Sequence, residues 1–301
     1  MSRNKSNTGA IVVQNGEVKV TENAIIMALS ISQWTARVKD KVATASVEKS
    51  FNTHGNAGQF QKSLVEGDIL KEIQQLASEM RTYHNTNTLP WGDNGERFLP
   101  IIAVNKTGKT TYHEYTSVMS QLKSKFEDKV AEFVKLYPTL KEEARRRLNG
   151  LYDEADYPNS IESKFGVKLT PSAVPASEDL NVNLPESEVQ RLREELGVEV
   201  NSKLQNAISD IWKRLEKVVK NMSDKLKEDD PKFKDSLVGN IKDIIKIAPK
   251  LNIFNDPKIT EMCKEMKKLT VEPDAIRKDV VTRKNVAKNA DEILKKMQAF
   301  M

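Results

Sequence analysis

Residues Ala103 to Thr110 read A-V-N-K-T-G-K-T, the loose form of a phosphate-binding loop with alanine at the first glycine position. Such a loop works when a strand delivers a tight turn whose N–H groups wrap phosphate. A helix N-terminus then adds its dipole, the lysine reaches the outer phosphates and the Ser/Thr hydroxyl holds magnesium. Upstream, "FLPIIAVN" reads as a strand. Downstream, "TTYHEYTSV" is β-branched and aromatic and reads as a second strand. The next helical pattern starts near Ser117, too late to aim its N-terminus at the loop. No apolar strand ending in Asp follows, and buried-strand runs are too few for a parallel sheet with helical crossovers. The expectation is a β-hairpin turn built on Asn105 and Gly108, and no nucleotide hydrolysis.

The remaining chemistry is sparse. His54, His84 and His113 lie on separate segments without ligand spacing. Asp93, Glu96 and His113 could be gathered into a carboxylate–histidine site, against the simpler reading of an exposed strand and turn. No G-x-S-x-G, H-E-x-x-H or paired metal pattern occurs. The single cysteine, Cys263, excludes an intramolecular disulfide framework and a cysteine-based zinc site. No catalytic residue, cofactor or metal is expected.

Cations are the second resource. Arg145, Arg146 and Arg147 are consecutive at a helix end, where they could grip phosphate or simply favour the helix C-terminus and pair with Glu142 and Glu143. The net charge of +5 is uneven, about +2 over 1–120, about −4 over 121–210 and about +7 over 211–301. The tail gathers Arg277, Lys278, Arg283, Lys284, Lys288, Lys295 and Lys296, with no aromatic residue before Phe300 for base stacking. Backbone contact with nucleic acid, DNA or RNA, through Arg283, Lys284 and Lys288 is open, as is a solvated helical face.

These residues must be carried by a mostly helical frame. Charged residues are 30% and aromatics 6%, with mean hydropathy −0.56. Residues 1–9 read as a disordered tail. Asn15-Gly16 suits a hairpin turn, 24–38 is ambiguous between strand and helix, and 41–61 reads as loop or weak helix. Ile69, Ile73, Leu76, Met80 and Tyr83 mark a helix over 64–83. Ser117 to Gly150 is helical, with Pro138 expected to kink or break it, Thr139 to restart it and Gly150 to stop it. Residues 151–185 are irregular, with a short strand at 165–175. From about Glu186 to Lys227 apolar residues recur only at threes and fours, among them Leu196, Leu204, Ile208, Ile211 and Leu215. That stripe extends about 60 Å and fits a coiled-coil seam. Its obvious partner is the 117–150 helix folded back antiparallel, though a seam between chains is equally compatible. Helices at about 232–248, 257–268 and 274–299 follow.

The fold class is therefore mainly α (α+β): a small β-containing base over 10–116, a long helical hairpin over 117–228 and a basic helical segment over 229–301. No apolar run approaches the roughly 18 residues of a membrane span, and "MSRNKSNTGA" has no apolar core of a secretory signal, so a cytoplasmic protein is expected.

Two segments, "ALSISQWTARVKDK" with Trp34 and "TNTLPWGDNGERFLP" with Thr88, Leu89, Pro90, Trp91, Gly95, Arg97, Leu99 and Pro100, precede a long helix, "SKFGVKLTPSAVP" and another long helix. This order resembles an uncharacterised family of bacteriophages and mobile elements, a domain of unknown function often encoded beside a MoxR-type AAA+ ATPase. The resemblance implies a phage-like origin, a host-cytoplasmic setting and an AAA+ ATPase among candidate partners. It implies no activity. The expected function is non-enzymatic interaction or assembly, by self-association into a homo-oligomer or docking of a protein through the long helices. The second reading is nucleic-acid binding through the basic C-terminal third.

Overall fold

The computed structural model describes residues 10–13, 16–53, 55, 57–92, 95–104, 108–229 and 231–300. The tail expected over 1–9 lies outside them. The protein is mainly α with some β. Its strands are β1 (Ala10–Val13), β2 (Gly16–Lys19), β3 (Ala24–Ser32), β4 (Arg37–Lys39), β5 (Gln61–Ser63), β6 (Leu89–Pro90), β7 (Glu96–Pro100) and β8 (Gly166–Ser172). Its helices are α1 (Lys41–Ser50), α2 (Asp68–Asn87), α3 (Thr111–Leu148), α4 (Glu186–Leu226), α5 (Ser236–Leu251), α6 (Pro257–Met266), α7 (Pro273–Lys278) and α8 (Val280–Gln298). Strands β1 and β2 pair antiparallel with Val13 opposite Gly16, so Gly16 is a strand residue rather than part of the turn. A four-stranded sheet runs β6-β7-β3-β8, and β4 pairs with β5.

The chain forms two compact units, each from non-contiguous segments. The first comprises Met1–Ala28, His84–Thr116 and Thr170–Met301, and the second Leu29–Tyr83 and Ser117–Leu169. Chain order therefore does not map onto the units, and the segments 10–116, 117–228 and 229–301 are not separate bodies.

In the first unit α4 packs against α5 and α8. Leu204, Ala207, Ile211, Leu215, Met222 and Leu226 of α4 are buried with Val238 and Ile241 of α5 and Val286, Ala290 and Ile293 of α8. The three-four spacing thus marks a core face, and each buried Leu or Ile contributes about 1.5–3 kcal/mol. Leu204, Ile211 and Leu215 are covered within one chain and are closed to a partner, whereas Leu196 and Ile208 are half-buried. The cover for 204–226 comes from α5 and α8 of the same unit.

In the second unit the core is aromatic. Phe133 is fully buried, with ring centroids 6.2 Å from Trp34, 5.9 Å from Tyr137 and 5.6 Å from Phe165.

Three local expectations are corrected. The stretch from Thr111 on is the first turn of α3, not a strand. The Thr110 N–H donates to His113 Nδ1 at 3.2 Å and the Thr110 carbonyl accepts from Glu114 N, which caps the helix. Buried Tyr115 then begins the series Met119, Leu122 and Phe126 at spacings of four and three. Pro138 lies inside an unbroken α3, because losing one backbone bond costs less than the burial of Phe133, Tyr137 and Ala144 around it secures. The left-handed residue that ends α3 is Asn149, at φ +44°, rather than Gly150.

Candidate functional site

The phosphate-loop candidate sits between β7 and α3. A helix does follow it directly, contrary to the expectation from sequence. Backbone groups on either side of its turn are already engaged. Ala103 and Thr110 form an antiparallel bridge, and the Val104 N–H donates to Lys109 O at 2.8 Å. The Thr111 N–H donates to Ile102 O at 2.9 Å, and the Thr110 hydroxyl is 2.9 Å from His113 Nδ1. The strand before the loop, β7, has antiparallel neighbours on both sides. Residues 105–107 lie outside the described residues, as does Asp93 of the carboxylate–histidine candidate. Among the described residues no group of three or more His, Cys, Asp or Glu could hold a metal ion.

The "TNTLPWGDNGERFLP" motif builds a polar knot at the C-terminus of α2. Gly95 takes φ +77° in the turn between β6 and β7, where an L side chain would be strained. Pro90 pairs with Arg97, and Trp91 stacks on Phe98 at 5.5 Å. Arg97 donates to the Thr88 hydroxyl at 2.6 Å, to Thr88 O at 2.9 Å and to Asn85 O at 3.2 Å. Arg214 of α4, held by Asp210 at 2.7 Å, donates to Thr86 O and Thr88 O. Two guanidinium groups therefore satisfy the carbonyls that end α2, as cations at a helix C-terminus do. Pro100 O accepts from the Thr111 hydroxyl. His84, 4% exposed, lies 2.6 Å through Nδ1 from the Tyr115 hydroxyl. Burial, and then the charge of Arg97, push its pKa down to about 4. The knot is a structural joint within the first unit. His84 reads from sequence only as a histidine without ligand spacing, and its joining with Tyr115 and Arg214 was missed by sequence reasoning, because nothing local marks it.

The second unit carries a platform that sequence reasoning also missed. Lys62 of β5 is 7% exposed, and its ammonium lies 3.2 Å from Asp40, 2.6 Å from Asp156 and 3.0 Å from Leu151 O. Asp40 in turn caps α1, accepting from Ala43 N at 2.9 Å. Burial opposes the charge on Lys62, but Asp156 and Asp40 together outweigh it and hold its pKa above the usual lysine value. The Thr44 hydroxyl accepts from Phe60 N at 3.0 Å and ties α1 to the segment before β5.

On this platform α1 stands almost bare. None of its residues is buried, and Val42 is 77% and the adjoining Phe51 75% exposed. Thr44, Val47, Glu48, Phe51, Ala57 and Phe60 are among the residues that line a cleft of about 340 Å³. The sequence reading of 41–61 as loop or weak helix does not single out these residues, because the apolar content of the stretch is low.

The cations divide. Arg145 pairs with Glu154 at 3.1 Å and lies over the Tyr152 ring. Lys141 first, then Tyr152, pull the Glu154 carboxyl down to about 2. Arg147 donates to Ser63 O at 2.7 Å, and Arg146 is exposed. Lys284 is exposed, Lys288 is 3.9 Å from Glu292, and Arg283 donates to Arg277 O at 3.4 Å. Trp34 packs on Phe133 and Tyr137 in the second unit, while the other motif residues, Pro90 to Pro100, lie in the first.

No family model, curated protein or solved structure matches this chain. Among the described residues no helix is long and apolar enough to cross a membrane.

Proposed function

We propose that this chain is a non-enzymatic assembly protein of the cytoplasm that self-associates through α1 and the 51–60 segment. One observation carries the reading: a ten-residue helix is fully formed, yet buries none of its residues in the single chain. Helices this short are marginal alone, and five of its ten residues (Val42, Thr44, Ser46, Val47 and Ser50) are β-branched or serine, which are poor helix formers. Cover for Val47 and Phe51 would stabilise it.

A second copy fits that role by charge. Lys41 and Glu48 lie seven residues apart on one side of α1, and neither has an ion-pair partner among the described residues. A two-fold axis that sets two α1 helices antiparallel places Lys41 of each against Glu48 of the other, twice over. The patch is small, so the dimer is expected to be weak. The resemblance to the phage-associated family makes an AAA+ ATPase the rival occupant.

The test is solution mass by light scattering from about 1 µM to about 200 µM, a range suited to small interfaces. The wild type is expected to pass from monomer to dimer, and Phe51→Ser with Val47→Ser to stay monomeric with unchanged thermal stability. A wild type that stays monomeric across the range would overturn the self-association reading and favour a different protein as the occupant.

A further inference from the structure

We infer that the paired faces of α4 and α8 form a docking band for the phosphate backbone of duplex nucleic acid. This goes beyond self-association and rests on a different surface. One ion pair locates the band: Lys227, which caps the C-terminus of α4, is 2.7 Å from Asp291 of α8. Asp291 also accepts from the Ser223 hydroxyl, and Trp212 meets Phe300 at 6.1 Å, so the two helices run antiparallel.

Helical spacing then places the neighbours of each partner. On α4, Lys213 and Lys220 precede Lys227 at intervals of seven and share its side. On α8, Lys284, Lys288 and Lys295 stand seven, three and four residues from Asp291 and share its side. Both rows therefore flank the same seam. All six lysines are exposed. Lys213, Lys220, Lys284 and Lys295 have no ion-pair partner among the described residues, and Lys288 is 3.9 Å from Glu292. Asp291 is already neutralised by Lys227, and the other carboxylates beside the rows, half-buried Glu216 and exposed Asp224 and Glu292, are outnumbered by the lysines.

The geometry suits a duplex. Packed helices lie about 8–10 Å apart, and each row extends about 15–20 Å at 1.5 Å per residue. Two such rows can reach phosphates on both strands across a groove about 6–12 Å wide. Neither row carries an aromatic side chain on which single-stranded bases would stack. Large apolar exposure on α8 is confined to Val280 and Val281 at its start, which offers little to a lipid surface.

The experiment is fluorescence anisotropy of the full chain with a labelled 20-base-pair duplex over a salt series. About five phosphate contacts give a slope of log K on log salt of roughly −4.5. Combined reversal of Lys213, Lys220, Lys284 and Lys288 to Glu is expected to weaken binding at least tenfold. Reversal of Lys264 on α6 and Lys267 just after it is the control and is expected to change it less than threefold. The inference is overturned by an undetectable complex at low salt, by a control as damaging per charge as the band variant, or by single strands or anionic vesicles binding as tightly as duplex.

Discussion

Replacing Lys62 by methionine is expected to destabilise the chain by about 3–5 kcal/mol, the usual cost of removing one member of a buried ion cluster. The methionine fills similar space, but Asp40 and Asp156 lose the ammonium that compensates them. Their side chains are only 10% and 16% exposed, so water replaces the missing partner poorly. The Leu151 carbonyl loses its donor as well. Because Asp40 also caps α1, the loss should spread to the helix it starts. Urea unfolding of Lys62→Met, Asp156→Asn and the double variant measures the effect. The double variant is expected to cost much less than the sum of the singles. Additive costs would mean that the three charges do not act together.

Acidification is expected to remove about 3 kcal/mol through His84 alone. Its folded pKa, about 4, lies below the ordinary value of 6.5, because burial and Arg97 disfavour the imidazolium. The unfolded chain therefore binds the proton first. The stability is complete above pH 6.5 and is lost as pH falls from 6.5 towards 4. Carboxylates held below their usual range, such as Asp40 and Asp291, give up their contributions at lower pH, below about 4.5. The two windows are therefore separable. Unfolding free energy measured from pH 7.5 to 4.5 should decline in the wild type and stay nearly level in His84→Gln. Equal declines in both proteins would remove His84 as the cause.

Much of the frame is legible in the residues. The apolar series from Val189 to Leu226 and the boundary at Pro185 specify α4, and Gly166–Ser172 forms a strand inside the span expected for it. Element type failed where local chemistry points both ways. Thr110, Thr111, Tyr112 and Tyr115 are good strand residues, yet a threonine cap and a buried tyrosine at helical spacing make the first turn of α3. Contacts between distant segments were beyond a local reading. Lys62 meets Asp156 across 94 positions and Arg214 meets Thr88 across 126, and neither spacing leaves a trace in periodicity. Discontinuous units are hidden for the same reason, since β3, α2, α3 and β8 each contribute residues to both. At the candidate surface the residues were visible but not their exposure. The stretch 41–61 reads as loop or weak helix, and only the fold reveals that Val42, Val47 and Phe51 are left exposed among the described residues.

Amide hydrogen exchange of residues 41–51 at low and high protein concentration tests self-association through α1 most directly. A helix covered by a second copy should exchange more slowly as concentration rises, and Phe51→Ser should abolish that dependence. Protection of 41–51 that stays constant while the mass doubles would place the contact elsewhere and contradict the role assigned to α1.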